Sequence, residues 1–360
     1  MTKSIADQSF WNKKKVLVTG HTGFKGTWLS LWLKSMGASV TGIGLEPEYS
    51  SIFRMVGLER SINNKLVDIT NFELLSKTIK EINPEIVFHL AAQSLVIESY
   101  KNPRNTWLVN TMGSVNIIEA LRSLDKPCTL VMITTDKVYK NYEWEFSYRE
   151  NDVLGGNDPY SSSKAAAEIA IQSFRKSFCD SSLSNKNLLK ISSARSGNVI
   201  GGGDWAENRI VPDAIRALRT DNLLNVRNPN STRPWLHVLE PLNGYLLLAE
   251  SMMQNDCEYN DAFNFAPSND SNRTVEELIK EVFKYWEGKF NIYENNNNFK
   301  EAKLLSLSSD KARKSLNWKN KWDFKKTVEK TVMWYKDVEY KKLSPIDACY
   351  ADLNSFMNDP

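Results

Sequence analysis

Tyr160-Ser161-Ser162-Ser163-Lys164 sets a phenol and an ammonium four residues apart, on one face of a helix if the segment is helical. Lys164 can then favour the tyrosinate and make Tyr160 a proton acceptor for an alcohol or sugar hydroxyl. Alone, such a pair describes any surface tyrosine beside a solvated lysine. Two stretches upstream change that reading: Gly20-His21-Thr22-Gly23-Phe24-Lys25-Gly26 and Thr134-Thr135-Asp136-Lys137. A hydroxyl at Thr135 can polarise the oxygen that Tyr160 deprotonates. The adjoining Asp136 and Lys137 offer an acid and a base beyond what a simple dehydrogenase needs, though a strand-end turn with a surface ion pair would look the same.

The glycines at 20, 23 and 26 follow an expected strand and open an expected helix. Gly20 permits the tight turn, Gly23 lets backbone approach a pyrophosphate, and the helix amides face its negative charge. The G-x-x-G-x-x-G spacing resembles that of short-chain dehydrogenases. Asp68, just past the third expected strand, is placed to accept from an adenine amino group, with Ile69 beside it. Leu90-Ala91-Ala92-Gln93 supplies small residues where a cofactor backbone would pass; Asn110 and Thr134 belong to the same expected cofactor set. Glu46, near the end of the second strand, is the candidate for choosing NAD over NADP. His21, His89 and His237 share no HxH or HxxxH spacing, so no metal site is expected.

The elements that must position these groups follow from hydrophobic spacing. Apolar runs at 16–18, 39–43, 65–67, 86–90, 129–134 and 188–191 read as strands; the 3.6-residue period predicts helices over 24–36, 71–82, 105–124 and 159–178. Asn71 caps the second of these helices and Pro84 closes it. Continuous apolar strands alternating with helices mean a parallel sheet covered on both faces. The fold class is α/β, a Rossmann-type doubly wound sheet over 10–195 to which 234–260 returns. A smaller, loop-rich C-terminal substrate lobe takes 196–233 and 261–345. Its inserts would roof the cleft beyond the carboxyl ends of the strands. Asn295 to Asn298 is low-complexity and expected to be an exposed loop.

At 360 residues and 41% hydrophobic, the chain has room for such a core. Its 46 basic and 43 acidic residues are scattered, which argues against nucleic acid as main partner. Cys128, Cys179, Cys257 and Cys349 lie far apart without CxxC pairing, so a reducing cytoplasm fits. No apolar run suggests export or membrane insertion.

These segments, with Tyr148-Arg149-Glu150, Gly197-Asn198-Val199-Ile200-Gly201-Gly202-Gly203-Asp204-Trp205 and Arg233-Pro234-Trp235-Leu236-His237, resemble the extended short-chain dehydrogenase/reductase family of nucleotide-sugar epimerases and dehydratases. The likeness covers nearly the whole chain. It implies NAD as cofactor, Tyr160, Lys164 and Thr135 at the oxidised carbon, and a 4,6-dehydration in which Asp136 protonates the leaving hydroxyl. Relatives acting on dTDP-glucose carry glutamate where Lys137 stands; the aspartate-lysine version looks like the branch using CDP-glucose, and it leaves the base at C5 open. A lysine serves there only if some fraction is neutral. The resemblance further implies that Asn198 and Arg233 hold the diphosphate, with Arg209 a further candidate. It implies a homodimer, or a higher oligomer, joined through helices 105–124 and 159–178, and a place in bacterial deoxysugar synthesis for surface polysaccharide. A 4-epimerase shares everything but a use for Asp136-Lys137. A non-catalytic NAD-binding regulator would have no use for Tyr160 either.

Overall fold

Parallel strands buried on both faces need continuous apolar sequence, and the central strands have it. In a computed structural model, which describes residues 4–179, 189–255, 258–268, 271–292 and 304–359, β1 (Lys15–Thr19), β2 (Ser39–Gly44), β3 (Asn63–Leu66), β4 (Ile86–His89), β5 (Cys128–Ile133) and β6 (Leu189–Ser196) form one sheet with a seventh strand, Ala262–Phe265. All pair in parallel, in the order β3, β2, β1, β4, β5, β6, seventh. The order reverses between β1 and β4. A crevice therefore opens at their carboxyl ends, where open α/β sheets take their ligands.

Helices cover both faces. On one face Phe24–Ser35 and Leu239–Gln254 bring Trp28, Trp32 and Tyr245 into the core, Tyr245 edge-on to Phe265 of the seventh strand. Leu239–Gln254 is buried nearly all round, and its polar residues Glu240, Asn243 and Glu250 are hydrogen-bonded there, to Lys321 N and Trp322 N, to Ala6 N and to Trp11 Nε1. On the other face Phe72–Ile82, Gly113–Arg122 and Pro159–Phe178 pack Leu75, Ile117, Leu121 and Ile171 against Leu17, Val87 and Leu130. Beyond β6 come the helices Ile210–Arg219, Val275–Tyr285 and Phe324–Glu339, tied by two-stranded pairs such as Thr232–Pro234 with Asn272–Thr274. Val211, Leu278, Val328 and Trp334 of these helices join the same buried cluster as Trp28 and Tyr245.

Three expectations need correction. The substrate lobe was expected to resume at 261, yet Ala262–Phe265 hydrogen-bonds to β6 as part of the sheet; four residues between loops are too short to display a strand pattern. β3 runs over Asn63–Leu66 rather than 65–67, because it is a largely exposed edge strand whose place is set by pairing with β2. The helix expected over 105–124 is interrupted: Pro103–Trp107 passes into a π-turn, Leu108–Met112, before Gly113–Arg122. The run 295–298, Leu188 and Cys257 lie outside the described residues.

Candidate active site

Asp158 starts the helix that carries the chemistry. Its carboxylate accepts from Ser161 N at 2.9 Å and Ser161 Oγ at 2.5 Å, and Pro159 fills the first turn, so Tyr160 and Lys164 enter on the buried side. The helix packs over the carboxyl end of β5. There Thr135 caps a short turn, Asp136–Val138, by accepting from Lys137 N at 3.3 Å, donates to Asp136 Oδ1 at 2.9 Å, and acts on the Tyr160 phenol, lowering its proton affinity. Lys137 Nζ lies 6.0 Å from the centroid of the Tyr160 ring. Phenol, hydroxyl, carboxyl and ammonium therefore meet at one strand end.

Burial dominates the proton affinities. It pushes Tyr160 up to about 12, against the Thr135 hydrogen bond and with help from the Asp136 carboxylate. It brings Lys164 down to about 8, opposed by Glu168, and the Lys164 ammonium rests 3.5 Å from the Ile133 carbonyl. Lys164 is expected from the sequence to ease Tyr160 towards the phenolate; the groups that do so here are Thr135 and Arg209, and the cost of burying a charged phenol outweighs them. Asp136 is raised by burial, with Lys137, Thr135, Arg233 and Lys25 opposing. Its Oδ2 is buried without a hydrogen-bond partner, so it is a carboxyl inclined to keep its proton and free to give it.

The glycine loop fits a dinucleotide pyrophosphate. Gly20 has φ +72°, and a Cβ there would stand 2.7 Å from Ala91 N; one at Gly26 would meet Gly20 O at 2.1 Å. Phe24–Ser35 begins directly after Gly23 with no acidic residue in its first turn, leaving its amides for an anion. Thr22, Gly23, Phe24 and Lys25 stay partly exposed at that end. His21 does not face the cleft: its Nε2 pairs with Asn64 Oδ1 at 2.7 Å and its ring packs edge-on to Phe53. His89 bonds Thr19 and Ser114, and His237 sits between Trp28 and Trp322; burial pushes both down to about 3.

The rest of the cofactor set divides. Asp68 Oδ1 accepts from Thr70 N and Oγ1, both at 2.8 Å, which fixes the carboxylate past β3. Ile69 is buried beneath Gly113, where a Cβ would stand 2.5 Å from it. Leu90, Ala91 and Ala92 line the end of β4. Asn110 is a brace: Oδ1 accepts from Gln93 N at 2.8 Å, and Nδ2 donates to Gln93 O and Ser163 Oγ, each at 3.0 Å. It sits on the π-turn, which aims its amide between the β4 loop and the Tyr160 helix. Thr134 Oγ1 donates to Glu168 at 2.5 Å.

Sequence reasoning missed the group behind Thr134. Glu168 is saturated by Thr134, Ser193 and two Arg195 nitrogens, and Arg195 also reaches the Tyr139 hydroxyl at 2.8 Å and the Glu150 carbonyl at 3.0 Å. A buried ion pair holds only when both partners and their hydrogen bonds are present, and this one ties the Tyr160 helix to β5 and β6. The one signal was position: Glu168 falls four residues beyond Lys164.

From the C-terminal lobe, Arg209 bonds Asp204 at 2.9 Å and Ser94 Oγ at 3.4 Å, spanning to the loop after β4. Arg233 is buried on Thr232–Pro234 and acts on Asp136. Asn198 follows β6, its carbonyl accepting from Leu236 N at 3.1 Å. Lys25, Lys137, Lys164, Arg209 and Arg233 thus converge on a cleft whose buried acid is Asp136, a field suited to an anion such as a diphosphate.

The family model described as GDP-mannose 4,6 dehydratase matches residues 17–331. The CDP-glucose 4,6-dehydratase of Salmonella typhimurium is 42% identical over 334 residues, 92% of this chain and 93% of that one. The UDP-glucose 4-epimerase of Mycoplasma pneumoniae is 26% identical over 90% of this chain and 97% of its own. Among solved structures, a dTDP-glucose 4,6-dehydratase of Streptomyces venezuelae with NAD and TYD bound superposes with TM-score 0.76 at 18% identity, over 89% of this chain and 97% of that one.

Proposed function

The chain belongs to the GDP-mannose 4,6-dehydratase family, and from that premise we propose that it is an NAD-dependent CDP-glucose 4,6-dehydratase, a hydro-lyase that makes CDP-4-keto-6-deoxy-glucose and water. The observation that carries the reading is the buried Asp136, with one oxygen unpartnered and the other bonded by Thr135, acting on Tyr160 and followed in sequence by Lys137, whose ammonium lies over the Tyr160 ring. A 4-epimerase needs only Tyr160, Lys164 and the glycine loop.

Tyr160, with Thr135 holding the oxygen, takes the proton of the sugar 4-hydroxyl. NAD, held at the glycine loop of Gly20, Gly23 and Gly26, would supply the hydride acceptor at C4 and the hydride donor at C6. The ketone at C4 acidifies the C5 hydrogen, which Lys137 removes in its neutral form; Asp136 gives its proton to the 6-hydroxyl, and water departs. As C6 is reduced, the proton on Lys137 returns to C5, and the proton Tyr160 took from the 4-hydroxyl makes good the one Asp136 gave to the departing water, so both groups are reset for the next turnover. Thr135 and Arg209 already lower the proton affinity of Tyr160, the direction the first step needs. Arg233, Arg209 and Asn198 hold the diphosphate.

Purified protein supplied with CDP-, dTDP-, UDP- and GDP-sugars in parallel is expected to turn over CDP-glucose best. The product has lost one water and gives an enolate absorbing in the near ultraviolet in strong base. A product of unchanged mass without that absorbance makes the protein an epimerase. Preference for another nucleotide refutes the CDP assignment alone.

Assembly follows from the same helices. Trp107, Leu108, Met112, Ile169 and Phe178 are exposed apolar residues on the segments 103–122 and 159–178, a face suited to a second copy. We place the enzyme in the cytoplasm as a homodimer, serving deoxysugar synthesis for surface polysaccharide such as lipopolysaccharide O-antigen. Sedimentation is expected to return twice the mass of the 41.2 kDa chain; a single-chain mass at micromolar concentration rules the dimer out.

A further inference from the structure

Lys25 is the one charged residue in the glycine loop, where closeness to a pyrophosphate alone asks only for small residues and backbone. Its stem crosses the cleft. Nζ donates to Ser196 Oγ at 3.0 Å, over a sequence separation of 171, and Ser196 Oγ meets the Tyr245 hydroxyl at 2.8 Å. Ser196 ends β6, and the next residue runs so close to Asp136 that a Cβ on Gly197 would stand 2.9 Å from Oδ2. The ammonium and the carboxyl thus flank one piece of backbone, and each acts on the other: Lys25 eases the Asp136 proton off, and Asp136 helps Lys25 keep its own. The other groups acting on Asp136 are Lys137 and Thr135 from its own turn and Arg233 from the strand Thr232–Pro234, and it acts in turn on Tyr160 from the helix.

We infer that Lys25 is a positioning residue for the elimination step: its ammonium, pinned on Ser196, sets how tightly Asp136 holds the proton it delivers to the leaving hydroxyl. The role rests on the dehydratase reading. Burial raises the proton affinity of Asp136 and so makes it a more reluctant donor; a cation on the far side of Ser196 works against that and strengthens the acid. Burial brings Lys25 itself down to about 8, with Arg209 and Lys164 adding to the effect, so its influence fades as the pH rises through that value. Gly197 matters equally. A side chain there would press on the Asp136 carboxyl, its Cβ 2.9 Å from Oδ2 and 3.3 Å from Pro234 Cγ.

The test is an infrared titration of the Asp136 carboxyl band in the full-length protein, the band being assigned by its loss in Asp136→Asn. It needs neither substrate nor turnover, so it judges Lys25 even if no nucleotide sugar reacts, a result that would sink the dehydratase reading instead. In Lys25→Met the midpoint is expected to move up by about one pH unit, and in Lys25→Arg to return close to the parent value. A Lys25→Met titration that superimposes on the parent overturns the inference; so does an equal shift in both variants, which would mean altered packing. If Lys25→Met does not fold, Ser196→Ala, which frees the ammonium and also takes a partner from the Tyr245 hydroxyl, is expected to shift the band in the same direction by less, while Tyr245→Phe, which leaves the Lys25 contact in place, leaves it unmoved. No shift in Ser196→Ala overturns the inference as well.

Discussion

Tyr160→Phe is expected to lower turnover by about 10³-fold while NAD binds with unchanged affinity. The substitution removes one oxygen from a ring buried on a helix whose start is fixed by Asp158 and Pro159, so the backbone has no reason to move. Thr135 keeps its bonds to Asp136 and to Lys137 N, and the strand-end turn survives. What disappears is the acceptor proposed to take the first proton, and with it the ketone on which both later steps depend. Steady-state turnover with calorimetric NAD binding makes the check. Activity near that of the parent would remove Tyr160 from the mechanism, and weakened NAD binding would show that the phenol serves the cofactor instead. Because the phenol is pushed up to about 12, the parent's first step should gain from rising pH for as long as Lys164, brought down to about 8, stays charged.

The parts of this site that a reader of the sequence recovers are those coded locally. The turn at Gly20, the four-residue step from Tyr160 to Lys164 and the hydroxyl-acid-base order of Thr135, Asp136 and Lys137 all lie within a few residues of one another, and the strands that carry them announce themselves by unbroken apolar runs. What escapes is made by contacts across the chain. Lys25 finds Ser196 because β1 and β6 end on the same edge of the sheet. Arg195 pairs with Glu168 because β6 lies beneath the Tyr160 helix. Asn110 reads as a cofactor ligand until the π-turn aims its amide at Gln93 and Ser163; one extra residue in a helical turn leaves no mark in hydrophobic spacing. His21 is misplaced for a related reason: the loop's backbone faces the anion, and Gly42, which has no room for a side chain against the imidazole, shows that the ring turns back into the sheet.

Asp136→Asn and Lys137→Ala should both lower overall turnover by about 10²-fold or more, and they separate acid from base. In each, Tyr160, Lys164 and Thr135 remain, so oxidation at C4 proceeds and NADH absorbance builds up in a single turnover. The two differ at C5. With asparagine at 136 the site keeps the shape and neutrality of the protonated acid but has no proton to give; Lys137 still removes the C5 hydrogen reversibly, and deuterium from solvent enters C5 while the 6-hydroxyl stays. With alanine at 137 the C5 hydrogen is never removed, so the stalled sugar carries no deuterium. Mass spectrometry of quenched single turnovers in heavy water reads the difference directly. Should Lys137→Ala raise KM alone and leave kcat intact, the lysine is a binding group. The base would then have to come from the remaining cations of the cleft, among which Lys25 and Lys164, each brought down to about 8, hold the larger neutral fraction near neutral pH.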